Sequence, residues 1–143
     1  LRLCYVVVVS LPFIIYYIGK ARFIERHGGF FSETRRYKIA QRCIRIMMRN
    51  GRIRTRSYGQ ELLPEEGGYV MYSNHQGKYD TLGIMHSHPT PCTIVMDYTR
   101  SMLPIVNPFI DLVKGKRLDK SDMKSQMKTI LEIVEEVKAG RDT

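Results

Sequence analysis

Acidic side chains are almost missing from the first 60 positions, which hold two of them, Glu25 and Glu33, against 13 lysines and arginines. Residues 61–143 hold 12 acidic and 10 basic side chains, so the whole surplus behind the net charge of +9 lies in the N-terminal part. A segment so poor in carboxylates points toward an anionic partner, either nucleic acid or a membrane surface. Cysteine is also scarce. Cys4, Cys43 and Cys92 are odd in number and far apart, which excludes a disulfide framework and a C-x-x-C metal site and suits a reducing compartment. No G-x-S-x-G stretch marks a nucleophilic serine, and no H-E-x-x-H marks a zinc protease. Internal repeats and low-complexity tracts are absent too. A length of 143 residues suits one domain with a real core.

What is present begins with "LCYVVVVSLPFIIYYIG", residues 3–19, an apolar run of 17 residues that contains no charge. Lys20, Arg22 and Arg26 follow it directly. The run borders on the length that spans a bilayer, roughly 20 residues, and Pro12 is tolerable in such a setting. Tyr16 and Tyr17 beside the cations suit a membrane interface with the basic flank on the cytoplasmic side. They also stand where a signal peptide needs small residues. A buried core helix or strand pair is the competing explanation.

Residues 32–50 read as a helix with Ser32 as N-cap, Glu33 in the first turn and Gly51 after the end. Arg35, Lys38, Arg42, Arg45 and Arg49 fall on one stripe, while Tyr37, Ala40, Ile44 and Met47 fall on another. This basic amphipathic helix can lie on an anionic surface or pack its apolar side on the domain, and the two are compatible. Residues 52–58 alternate Ile and Thr with Arg, as a strand does. "YVMYSN" reads as a short buried strand, residues 81–88 as a short helix and "CTIVMD" as another strand. Residues 99–113 form a Pro-interrupted helical region. The last helix has Ser121 as candidate N-cap, Gly140 at its end, and Met127, Ile130, Leu131, Val134 and Val137 on one face. The expected fold class is α/β, a mixed sheet flanked by helices behind an N-terminal membrane-associated helical segment. The expected divisions are 1–19, a hydrophobic membrane segment; 20–56, a basic amphipathic helical region; and 57–143, the α/β core.

The stretch "SNHQGKYD", residues 73–80, leaves the "YVMYSN" strand with His75 five positions before Asp80. A carboxylate that accepts from one ring nitrogen fixes the tautomer and favours the imidazolium formed as the other nitrogen takes a proton. That pair would make a general base for a substrate hydroxyl. Two fixed residues at such a spacing recur by chance, so the pattern gains meaning from its context.

In that context, Asn74, His75 and Asp80 resemble the N-H-x4-D first motif of the glycerolipid acyltransferase family typified by 1-acylglycerol-3-phosphate acyltransferases. The resemblance covers roughly residues 20–143. It implies that His75 deprotonates the acceptor hydroxyl, which attacks an acyl thioester directly in a ternary complex, with Asp80 orienting His75. Asp80 points to the glycerolipid branch, since related lipid A acyltransferases generally carry Glu there. Gly77 stands where a small hydroxyl residue is common. "VKGKRLDK" is similar to the second motif, in which Asp-Arg gives a cation to the acceptor's phosphate. Here Asp119 is followed by Lys120, a point charge without the arginine fork, and Arg117 and Lys116 stand close by to supplement it. The third motif, Pro-Glu-Gly-Thr-Arg, is not found, so a C-terminal truncation is expected and these residues alone are expected not to turn over. The resemblance implies lysophosphatidate as acceptor, acyl-CoA or acyl carrier protein as donor and no metal or redox cofactor. Expected partners are membrane lipid and an anionic membrane surface, not nucleic acid, with the active site facing the cytoplasm.

Two other classes compete. His86 and His88, with Cys92, His75 and Asp80 nearby, could hold zinc for a hydrolase. Residues 20–56 could serve a noncatalytic membrane or nucleic-acid binder, although no nucleic-acid fold signature accompanies the charges.

Overall fold

The computed structural model describes residues 2–74 and 79–143. Its longest element is helix α1, Arg2–Arg26, with Pro12 inside it. A seam of Val6, Ser10, Ile14, Ala21 and Ile24 is buried, while Tyr5, Val8, Phe13, Ile15 and Tyr16 on the other side are exposed. The buried residues recur at three, four or seven positions, so they line one side of the helix. That side packs on helix α2, Glu33–Asn50, and on α5, Val106–Leu112.

Helix α2 starts where its capping chemistry directs, because the Ser32 side chain accepts from the Arg35 amide at 3.3 Å. It ends before Gly51. Tyr37, Ala40, Ile44 and Met48 are buried in the main core with Ala21 and Ile24 of α1. Met48 takes the buried place expected for Met47, which is half-buried. Buried Arg36 donates from Nε to the Leu112 carbonyl at 3.0 Å, satisfying the end of α5 with a cation where the helix dipole is negative. Asn50 donates to Ser10 Oγ at 2.9 Å, tying the end of α2 to the start of α1, so the two helices run antiparallel.

The sheet is small. Strands β1, Val95–Asp97, and β2, Lys116–Leu118, pair in parallel with Val95 opposite Lys116. Backbone bonds extend the same pattern on the other side of β1. Cys92 and Asp142 form a parallel bridge, Thr143 donates to the Tyr69 carbonyl at 3.0 Å, and Met71 donates back to the Thr143 carbonyl at 2.6 Å. Extended segments therefore lie in the order 69–71, 142–143, 92–97 and 116–118. The 69–71 segment lies against residues 140–143 so closely that a Cβ on Gly67 would sit 2.5 Å from the Gly140 carbonyl oxygen.

Helix α3, Asp80–Ser87, follows the 69–74 segment. The short α4, Tyr98–Ser101, follows β1, and α6, Met123–Lys138, follows β2. Mixed helix and strand agree with the α/β expectation, although helix dominates and the sheet is only loosely flanked. Four details differ from it. The buried strand expected at 69–74 is not formed as such: no strand lies there among the described residues, backbone bonds reach only as far as Met71, and Tyr72 is 94% exposed. Residues 52–58 make no strand, since their alternation finds no ladder partner among the described residues. The cap of α6 is Asp122, which accepts from the Lys124 and Ser125 amides at 3.0 and 3.3 Å. Ser121 instead donates its hydroxyl to Asp119 at 2.6 Å. Finally, the expected apolar face of α6 is uncovered among the described residues, with Met127, Ile130, Leu131 and Val134 at least 40% exposed.

Candidate active site

All the parallel segments point the same way, so their carboxyl ends share one edge, where α/β sheets bind ligands. Of the expected site residues among the described ones, Asp80 and Lys120 follow that edge, whereas Lys116 and Arg117 lie within β2. Ser73 and Asn74 end the segment that leads into His75. His75 lies outside the described residues. Asp80 opens α3, half-buried. Asp97 ends β1, and Lys120 comes just after β2.

The three expected cations differ in their surroundings. Arg117 is held by neighbours: its guanidinium donates to Asp111 at 2.6 Å, Asn107 at 2.7 Å and Ser101 Oγ at 3.1 Å. Lys116 pairs with Glu136 at 2.7 Å and Glu132 at 3.3 Å. Lys120 is 80% exposed and lies 3.6 Å from Asp97 across the ends of the two strands. The structure thus separates Lys120, open to an incoming anion, from two cations already bound to carboxylates of α5 and α6.

Beside this edge lies a groove of about 900 Å³. Its floor and walls are apolar: Ile14, Tyr17, Ile18 and Ala21 from α1, Met47 from α2, Leu82 from α3, Ile94 and Met96 at β1, and Val106 and Phe109 from α5. The polar residues on it are Ser73, Thr81, Asp97 and Arg100, all at or just beyond the sheet's carboxyl edge. A long aliphatic chain suits the walls, and a charged head suits the rim. Arg100 is exposed and forms no ion pair among the described residues, although its backbone amide caps onto Asp97 at 3.3 Å. The sequence carried a weak sign of this groove, since Ile14, Ile18 and Ala21 sit on nearly one line of α1. No pattern in it distinguished Arg100 from the other cations.

The thiol in the groove is a poor nucleophile. Burial pushes the Cys43 thiol up to about 11, and a thiol held protonated attacks slowly. Cys92 is also raised, chiefly by burial, and it contacts the Tyr37 hydroxyl at 3.3 Å. His88, one of the histidines of the competing metal site, is engaged otherwise. His88 is buried, its Nδ1 lies 2.7 Å from the Thr90 carbonyl and its Nε2 lies 2.8 Å from the Tyr69 hydroxyl. A carbonyl can only accept, so Nδ1 carries the proton and Tyr69 donates to Nε2, leaving no lone pair for a metal. No group of three or more His, Cys, Asp or Glu that could hold a metal ion occurs among the described residues.

An apolar groove whose rim bears Asp97 and Arg100, beside the exposed Lys120, suits an amphiphile with a charged head. A family model described as Acyltransferase matches residues 54–142, more than half of the chain, and the protein belongs to that family. Its general chemistry is acyl transfer, with an acyl donor and a lipid acceptor. Among curated proteins and among solved structures, nothing matches the chain.

Proposed function

We propose that the protein transfers a fatty acyl group from acyl-CoA or acyl carrier protein to the free hydroxyl of 1-acylglycerol-3-phosphate, giving phosphatidate. The observation that carries this reading is the apolar groove, whose polar rim includes Ser73 and Thr81, which flank the 75–80 motif in sequence. His75 removes the proton of the acceptor hydroxyl as its oxygen attacks the thioester carbonyl. Asp80 holds the ring and stabilises the imidazolium. The thiolate leaves as the tetrahedral intermediate collapses, and it takes up the proton that His75 acquired. No covalent acyl-enzyme is needed, which agrees with a groove thiol held in its protonated form.

For the acceptor's phosphate, Lys120 is the favoured cation, because its partner Asp97 is 3.6 Å away and its side chain is exposed. Arg100 on the same rim can join it. Arg117 and Lys116, expected to supplement Lys120, serve this reading as the ties that fix β2 beneath it. A cytoplasmic face of the membrane places this site next to its lipid acceptor and its soluble donor.

The test is acyl transfer to lysophosphatidate by membranes that carry the complete gene product, beside His75→Ala and Asp80→Asn. Loss of a general base costs about 100-fold or more, so the histidine variant should fall by that factor and the aspartate variant should fall with it. Equal activity in wild type and His75→Ala would make His75 structural and discard this mechanism.

A further inference from the structure

Helix α6 presents its apolar side to solvent rather than to the core. The half-buried side, toward the domain, is Ser125, Gln126, Thr129, Ile133, Glu136 and Val137, and polar bonds hold it there. Thr129 donates to the Arg117 carbonyl at 3.4 Å, and Glu136 pairs with Lys116 at 2.7 Å. On the outward side Met123 is 82% exposed, Met127 56%, Ile130 45%, Leu131 58% and Val134 40%. An ordinary surface helix turns its apolar stripe to the core and its polar stripe to water. The reversed arrangement leaves a contiguous apolar patch, the mark of an interaction surface. It is separate from the groove, whose described lining includes no residue of α6.

We infer that α6 is a self-association surface, on which a second copy of this chain pairs antiparallel about a two-fold axis near Ile130 and Leu131. The spacing fits a helix as the occupant, because Met123, Met127, Ile130, Val134 and Val137 step by four and three residues, the seam along which helices interlock. The symmetry fits the same helix reversed. Met127, Ile130, Leu131 and Val134 are placed evenly about the midpoint between 130 and 131, so the reversed copy sets Met127 against Val134 and Ile130 against Leu131. Charge selects the direction. At about 100° per residue, Lys124, Lys128 and Glu135 share one flank of the seam, the cations in its first half and the carboxylate in its second. Lys124 and Lys128 form no ion pair among the described residues, and Glu135 has an exposed one with Lys138 at 3.2 Å. Reversal brings Lys128 to within about 3 Å of the level of Glu135 on the other copy, and the two-fold axis repeats that match. A parallel copy would set lysine beside lysine, and an anionic membrane would meet Glu132 and Glu135. The inference does not depend on the reaction proposed above.

Disulfide cross-linking in the complete protein tests both the partner and its direction. Ile130→Cys and Met123→Cys are made singly, at positions already exposed, and oxidised with copper phenanthroline beside the parent chain with its own Cys4, Cys43 and Cys92. A disulfide needs Cα atoms within about 7 Å. The antiparallel pair holds residue 130 beside its own copy at the axis but sets residue 123 about 22 Å along the helix from its copy. Ile130→Cys should therefore give a covalent dimer above the parent's background, and Met123→Cys should not. Equal cross-linking at both positions would mean a parallel or nonspecific contact. No cross-linking at 130 would mean that something other than a second copy covers α6, and either result overturns the inference. Charge is tested on the Ile130→Cys background, with far-UV circular dichroism confirming that each variant is folded. Lys128→Glu should slow cross-linking by about three- to tenfold, the range of exposed ion pairs counted twice. Adding Glu135→Lys should restore it, because the exchanged charges still complement each other. A double variant as slow as Lys128→Glu would remove the charge match and with it the choice of this partner.

Discussion

Lys120 and Arg117 stand three residues apart and carry the same charge, yet their surroundings assign them different work. Arg117 makes three side-chain hydrogen bonds, to Asp111, Asn107 and Ser101, and so joins β2 to α5 and α4. Replacing it by Met leaves Asp111 without its cation in a half-buried place. Hydrogen bonds to charged groups contribute about 1.5–3 kcal/mol, and partial exposure discounts that, so Arg117→Met should lower stability by about 1–2 kcal/mol in a denaturant melt. Lys120→Ala should leave stability within about 0.5 kcal/mol, as exposed substitutions do, and raise the KM for lysophosphatidate about tenfold. The reverse pattern would exchange the two roles. Sequence spacing alone could not separate them, because "KGKRLDK" offers four cations in seven positions and only the fold shows which already have partners. The same limit applied to His86 and His88, whose spacing suggested a metal. It took the Thr90 carbonyl and the Tyr69 hydroxyl, from two neighbouring loop segments, to commit His88 to a structural role.

At the scale of elements, α6 is unusual in having no buried residue, so its attachment leans on charge. Glu136 joins Lys116 of β2 at 2.7 Å and Arg141 at 2.7 Å. Burial alone would raise this carboxyl, but hydrogen bonds and charge from Lys116 and Arg141 outweigh it and hold Glu136 below its ordinary 4.5. A depressed carboxyl contributes stability that is present above the unfolded value and lost as pH falls through the folded one. Hydrogen exchange in α6 should therefore accelerate below about pH 4.5 while α2, held by Tyr37, Ala40, Ile44 and Met48, stays protected. Glu136→Gln should remove that pH dependence; equal acceleration in both helices would mean the junction does not govern α6. Elements were legible where local chemistry agreed with packing. Ser32 and Gly51 bracket α2 as capping rules direct, and α3, β1 and α6 fall close to where their patterns end. The strand expected at 52–58 failed because alternation specifies a face but not a partner. The cap of α6 moved one residue because Asp119 had already engaged Ser121. Asp80 opens the helix expected at 81–88, one residue earlier than its pattern, whereas His75, the other half of the pair, lies outside the described residues.

Across the whole molecule, one helix serves two purposes. The exposed side of α1 is apolar and the buried side forms part of the core, but between them Ile14, Tyr17, Ile18 and Ala21 wall the groove. An acyl chain bound in this groove would be coupled to how α1 sits against α2. The groove's length should then set which acyl chains are accepted. Met47 lies on its α2 wall, half-buried, and its flexible side chain occupies a place that a larger ring can fill. Met47→Trp, made in the complete protein, should shift the preferred donor toward shorter acyl chains. The loss of kcat/KM should grow with each added methylene that no longer fits, about 0.8 kcal/mol or fourfold per group. Activity on the shortest donors should remain near that of wild type, which shows that His75 and Asp80 still function. A uniform loss across all chain lengths would instead mean that the substitution disturbs the α1–α2 seam, and an unchanged profile would mean that the acyl chain binds elsewhere. The chain-length profile, compared in this way, tests whether the space between α1 and the sheet is the compartment where the substrate's hydrocarbon resides.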